Sequence, residues 1–114
     1  MLRYYHNPRC SKSREGLQLL QDRGIEPQVV EYLKTPPSAD ELRQILALLG
    51  IPARALLRSK EEEYQTLGLA DASLSDEALI AAMVAHPRLI ERPIAVSEHA
   101  AAIGRPPENL LTLL

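Results

Sequence analysis

The sequence predicts an α/β fold in which a small mixed sheet is laid down as β-α-β, a helical insertion follows, and β-β-α closes the chain. Three observations predict it. Strand-like runs occur near the two ends of the chain ("LRYY", "PQVVEYL", "IAV", "AAI"), and helical spacing with capping residues fills the middle. The chain has 114 residues, 46% apolar and 25% charged, the size and balance of one globular domain. The organisation expected is a single domain over residues 1–114 with a helical insertion at about 38–87.

"LRYY" is a short apolar and aromatic run before a proline-containing loop, and reads as the first strand. From Ser11 the pattern turns helical: Leu17, Leu19 and Leu20 supply an apolar face, and Gly24 is a natural stop. "PQVVEYL", opened by Pro27, reads as the second strand, and strand–helix–strand favours a parallel pair. Ser38 with Glu41 three residues on forms a capping box, and Gly50 ends the helix it starts. "ARALLRSKEEEY" after Pro52 reads as a further helical turn or two. Ser75, followed by Asp76 and Glu77, caps "DEALIAAMVAH", which stops at Pro87. "IAV" and "AAI" around "SEHA" form a hairpin, and "GRPPENLLTLL" reads as a closing helix with proline at its start.

This is the element order of a thioredoxin-like fold with an insertion after the second strand, an order that brings the loop after the first strand to the start of the first helix. No Phe or Trp is present, so Leu, Ile, Val and Ala fill the core. A net charge of −2 points away from nucleic acid and anionic membranes as partners. "MLRYYHNPRC" has no apolar leader core, and "ALIAAMVA" is far too short to cross a bilayer. One cysteine cannot form an internal disulfide and suits a reducing compartment, so a cytoplasmic location is expected.

That cysteine, Cys10, lies in "YYHNPRCSKSR", at the loop-to-helix junction. A free thiol with a pKa of about 8.5 is mostly protonated at neutral pH. Ionising it largely requires a shift of about two units, or about 2.7 kcal/mol of preference for the anion. A helix N-terminus supplies about 0.3–1 kcal/mol, and up to about 2 in favourable sites, so cations must add to it. Arg9, Lys12 and Arg14 are local sources; the hydroxyls of Ser11 and Ser13 are further donors. With polar and basic neighbours on both sides, Cys10 reads as a nucleophile rather than a small buried apolar residue. His6, His86 and His99 have no metal-ligand spacing, so no metal is expected.

Absent residues constrain the chemistry further. Ser13 stands where a Cys-x-x-Cys motif would place its second sulfur, so any adduct on Cys10 needs an external thiol. Gly16 stands where a Cys-x5-Arg phosphate cradle would place its arginine. An oxyanion substrate would then need arginines from afar. Arg54, Arg58, Arg92 and Arg105 are candidates, and on a helix Arg54 and Arg58 would share one face, so spacing does not choose between them.

The segments "YHNPRCSKSR", "YLKTPPSADEL", "RALLRSKE", "LIERPIAV" and "IGRPPENLL", in that order and spanning nearly the whole chain, resemble the glutaredoxin-linked arsenate reductases of bacteria. The resemblance implies a thioredoxin-like fold with Cys10 as nucleophile, His6 helping to lower its pKa and Ser13 bonding to its sulfur. It implies Arg58, Arg92 and Arg105 as ligands of the arsenate oxygens, choosing Arg58 over Arg54, and a cis-proline at Pro93. It implies glutathione as co-substrate, glutaredoxin as partner and no bound cofactor. Two other readings are compatible with the residues: a glutathione-dependent monothiol transferase, and a non-catalytic protein like the Spx-type regulators that bind RNA polymerase. Ser13 in place of a second cysteine speaks against the redox switch common in the latter.

Overall fold

The computed structural model describes residues 2–114. Four strands, β1 (Arg3–Tyr5), β2 (Gln28–Val30), β3 (Ile94–Val96) and β4 (Ala101–Ile103), form one mixed sheet in the order β2-β1-β3-β4. The α-helices are α1 (Ser11–Asp22), α2 (Ala39–Leu49), α3 (Glu62–Thr66) and α4 (Asp76–Ala85). Tighter-wound 3₁₀ helices span Ala53–Leu56, Pro87–Leu89 and Pro107–Leu113. Among the described residues, no helix is long and apolar enough to cross a membrane. The chain divides into two compact units, one ending at Thr35 and resuming at Arg92–Leu114, the other Pro36–Glu91.

In the first unit β1 runs parallel to β2 and antiparallel to β3, with Tyr4 opposite both Val29 and Ala95. Ser97 ties off the β3–β4 hairpin: its backbone N–H donates to the Ala100 carbonyl at 2.8 Å. The apolar face of α1 delivers Leu20, fully buried, to a core with Tyr4, Ala95, Ala102 and Leu110. α1 also packs on the closing 3₁₀ helix. That contact requires Gly16, because a Cβ there would collide with the Tyr4 hydroxyl and lie 2.9 Å from Leu110 Cδ1. The Arg92–Pro93 and Arg105–Pro106 peptide bonds are both cis.

The second unit is helical. Ser38 accepts from the Glu41 N–H and Ser75 from the Ala78 N–H, each capping its helix, and Gly50 ends α2 in the left-handed region at φ 68°. α4 packs on α2 and on the two 3₁₀ turns beside it, burying Leu79, Ile80 and Met83.

Three elements differ from the sequence expectation. The second strand stops at Val30, because the Lys34 and Thr35 N–H groups both turn back to the Glu31 carbonyl. "ARALLRSKEEEY" is not a continuous helix: Leu57 leaves the 3₁₀ turn in extended form and bridges to Ile90. Arg54 and Arg58 therefore share no helical face. The closing helix is 3₁₀ rather than α, a distinction that the spacing of its leucines does not carry.

Candidate active site

Cys10 is the N-cap of α1, in extended backbone, half-buried. The loop that presents it is fixed by its own side chains. Asn7 accepts the Cys10 N–H on its backbone oxygen at 3.0 Å and the Arg9 N–H on its side-chain oxygen at 3.0 Å. Arg14, one turn into α1, reaches back to the Pro8 carbonyl at 2.8 Å. There is no acidic residue in the first turn of α1 to oppose an anion there.

Beneath the loop, Ser13 is fully buried and joins three neighbours. Its hydroxyl oxygen accepts the Asn7 N–H at 2.9 Å and lies 2.6 Å from His6 Nδ1, and its backbone carbonyl accepts from the Tyr4 hydroxyl at 2.6 Å. Burial lowers the His6 pKa; Glu31 opposes that shift and the cation of Arg14 reinforces it. The neutral ring so favoured can accept a hydrogen bond from the Ser13 hydroxyl at Nδ1 while the same oxygen accepts from the Asn7 N–H. Burial likewise pushes the Tyr4 phenol well above its ordinary range, so it stays a donor.

The hydroxyl of Ser13 is thus turned to His6 and Asn7, where the resemblance had it on the sulfur. His6 meets α1 through Ser13, and as a neutral ring it lends no positive charge. Arg105 brings a cation to the sulfur: its Nη2 lies 3.6 Å from Cys10 Sγ. Its Nε donates to the Arg92 carbonyl at 2.8 Å. Cys10, His6, Ser13, Arg92, Pro93 and Arg105 all belong to the sheet-bearing unit.

Arg58 belongs to the helical unit. Its N–H donates to the Leu89 carbonyl at 2.8 Å, its Nη1 meets Glu61 at 2.7 Å and its Nε lies 3.9 Å from Glu91. Arg54 has a structural task there, donating to the carbonyls of Leu69 and Asp71 at 2.8 Å each. Sequence reasoning did not single out Tyr4, Asn7, Glu61 or Glu91. The first two stand beside the motif, but nothing local marks Glu91 as a partner of Arg58.

The model of the ArsC family matches residues 5–113. The chain belongs to the ArsC family. It is similar, at 57% identity over 114 residues, to protein YfgD of Escherichia coli (strain K12), covering 99% of this chain and 96% of that one. It is 47% identical over 114 residues to the arsenate reductase of Neisseria meningitidis (strain MC58), covering 99% and 97%. The solved arsenate reductase from Vibrio cholerae superposes with a TM-score of 0.96 at 54% identity, covering 99% and 97%. The fold of this ArsC chain is thioredoxin-like, in agreement with its element order.

Proposed function

We propose that this ArsC-family protein is an arsenate reductase that works with one thiol of its own. The observation that carries the reading is the Arg105 guanidinium at 3.6 Å from Cys10 Sγ, brought to the α1 N-terminus from the far end of the chain. A cation at a helix start favours a thiolate and an incoming oxyanion alike. The arsenate reductases among its relatives support the same substrate.

In this reading the Cys10 thiolate attacks arsenic(V), an S–As bond forms, and one arsenate oxygen leaves as water. Arg92 and Arg105, both in the sheet-bearing unit, hold the remaining oxygens, whose charge of about −1.5 to −2, by analogy with phosphate, two guanidinium groups can balance. With one cysteine in the chain, the adduct cannot be resolved internally. The glutathione thiol then displaces a second arsenic oxygen, which leaves as water with the thiol proton, and a second S–As bond forms. Glutaredoxin then attacks that sulfur, forming a mixed disulfide and leaving the S–As electron pair on arsenic, now arsenic(III). Water cleaves the remaining Cys10–As bond, releasing arsenite and the thiol.

The test is arsenate-dependent NADPH consumption coupled through glutathione, glutaredoxin and glutathione reductase. Cys10→Ser should abolish it, and Arg105→Ala should lower it by about 10²-fold, as for loss of one oxyanion donor. Turnover of glutathione mixed disulfides without arsenate dependence, unaffected by Arg105→Ala, would instead identify a thiol transferase.

A further inference from the structure

We propose that a pocket at the carboxyl ends of β1 and β2, walled by Arg9, Glu31, Leu33 and Lys34, is the binding subsite of the external thiol, a small peptide thiol bearing carboxylates. The inference rests on the reading of Cys10 as a sulfur resolved from outside.

The placement comes from the sheet. β1 and β2 are parallel neighbours, and the His6 N–H donates to the Val30 carbonyl at 2.8 Å, joining the two strand ends. The loops that follow, one leading to Cys10 and the other turning at Glu31, therefore open side by side. In open α/β sheets ligands bind in the crevice outside the carboxyl ends of such strands. The cavity there measures about 200 Å³ and is lined also by His6, Asn7 and Pro8. That is below the ~300–1,000 Å³ of sites that enclose a whole drug-sized ligand. It therefore takes one end of a peptide thiol and leaves the sulfur outside, beside the loop that ends in Cys10.

The charges define the ligand. The rim has two cations, Arg9 and Lys34, against one carboxylate, Glu31, on a chain whose net charge is −2. Glu31 lies 3.5 Å from Lys34. A ligand with carboxylates and one ammonium group matches this rim: carboxylates to Arg9 and Lys34, ammonium to Glu31. Leu33, 40% exposed, offers apolar contact for the linking atoms. The backbone of Arg9 is fixed by Asn7, so the cation nearest Cys10 in sequence starts from a defined place.

The experiment needs no arsenate. Cys10 is converted to its mixed disulfide with 5-thio-2-nitrobenzoate. Glutathione thiolate attacks the Cys10 sulfur, forms the Cys10–glutathione disulfide and expels the coloured thiolate, whose release is timed. The rate is expected to saturate with glutathione, to fall competitively with unreactive S-methylglutathione, and to stay linear with uncharged 2-mercaptoethanol. Arg9→Ala/Lys34→Ala should slow glutathione by about a hundredfold, about tenfold for each lost charge-assisted contact, with 2-mercaptoethanol unchanged. Leu33→Trp, which fills the pocket without altering charge, should raise half-saturation for glutathione alone. A linear glutathione rate, indifference to S-methylglutathione, or equal slowing of both thiols would overturn the subsite. Saturable glutathione exchange without arsenate turnover would retain the subsite and remove the arsenate reading; arsenate turnover with linear exchange would do the reverse.

Discussion

In the unit that holds the sheet, two polar side chains, His6 and Ser13, are buried alongside Tyr4, Tyr5 and Tyr32; in Pro36–Glu91 the buried residues are Leu, Ile, Met, Ala and Pro alone. The arginines differ in the same sense. Arg105 is held on a backbone carbonyl beside the sulfur, and Arg58 is met by the carboxylates of Glu61 and Glu91. Buried polar groups must be paired, so each fixes the position of its neighbours. An aliphatic interior stabilises without specifying any one polar geometry. The sheet-bearing unit spends its interior on holding one loop, and the helical unit on cohesion.

The largest effect should come from cutting into the aliphatic interior. Met83, fully buried on α4, contributes packing and no hydrogen bond to a candidate site residue. Met83→Ala should cost about 2–5 kcal/mol, read as a lowered urea midpoint. The rate at which iodoacetamide alkylates Cys10 in native buffer should not change. A changed alkylation rate would break the contrast between the units.

Gly16→Ala should be the more telling change although the smaller. The added methyl would meet the Tyr4 hydroxyl, Leu110 Cδ1 at 2.9 Å and Pro93 Cγ at 3.3 Å. Overpacking of this kind costs about 1–3 kcal/mol. Tyr4 holds the Ser13 carbonyl, so α1 must shift at its N-terminal turn, where Cys10 sits. The expected result is a lowered midpoint together with an altered Cys10 alkylation rate in the protein that remains folded. A stability loss with unaltered alkylation would mean that Tyr4 yields and the loop does not depend on it.

Much of this architecture was legible because its signals are local. Ser38, Ser75 and Gly50 begin and end helices through bonds spanning four residues or fewer, and they act where the sequence places them. The segment after Pro52 has its expected helical turns, but the break that separates Arg54 from Arg58 is decided at a distance: Leu57 pairs with Ile90 and the Arg58 N–H with the Leu89 carbonyl. No periodicity within "ARALLRSKEEEY" encodes that pairing. The site divides in the same way. Cys10 at a helix start follows from the chain order, whereas the residues alone leave Arg105, 95 positions away, as one of four candidate arginines, and only the resemblance narrows them. Gly16 was read as a missing arginine; its place against Tyr4 and Leu110 shows why a side chain is excluded there.

The smallest effect sharpens the contrast most cleanly, because it belongs to one buried polar side chain. Burial lowers the His6 pKa below its ordinary 6.5, with Glu31 opposing and Arg14 reinforcing. As pH falls below 6.5, the unfolded chain takes up a proton at this position and the folded chain does not. Its contribution is therefore complete above 6.5 and is lost as pH falls through the lower folded pKa, at no more than about 1.4 kcal/mol per pH unit. His6→Gln has no proton to take up in either state and should flatten that part of the profile between pH 7.5 and 5.5, measured as urea midpoints. Its amide can still meet Ser13, so the loop should keep its alkylation rate at pH 7.5. A wild-type profile flat across this interval, or a His6→Gln profile just as steep, would mean that the imidazole meets solvent as freely when folded as when unfolded, and the buried tie between β1 and α1 would have to be redrawn.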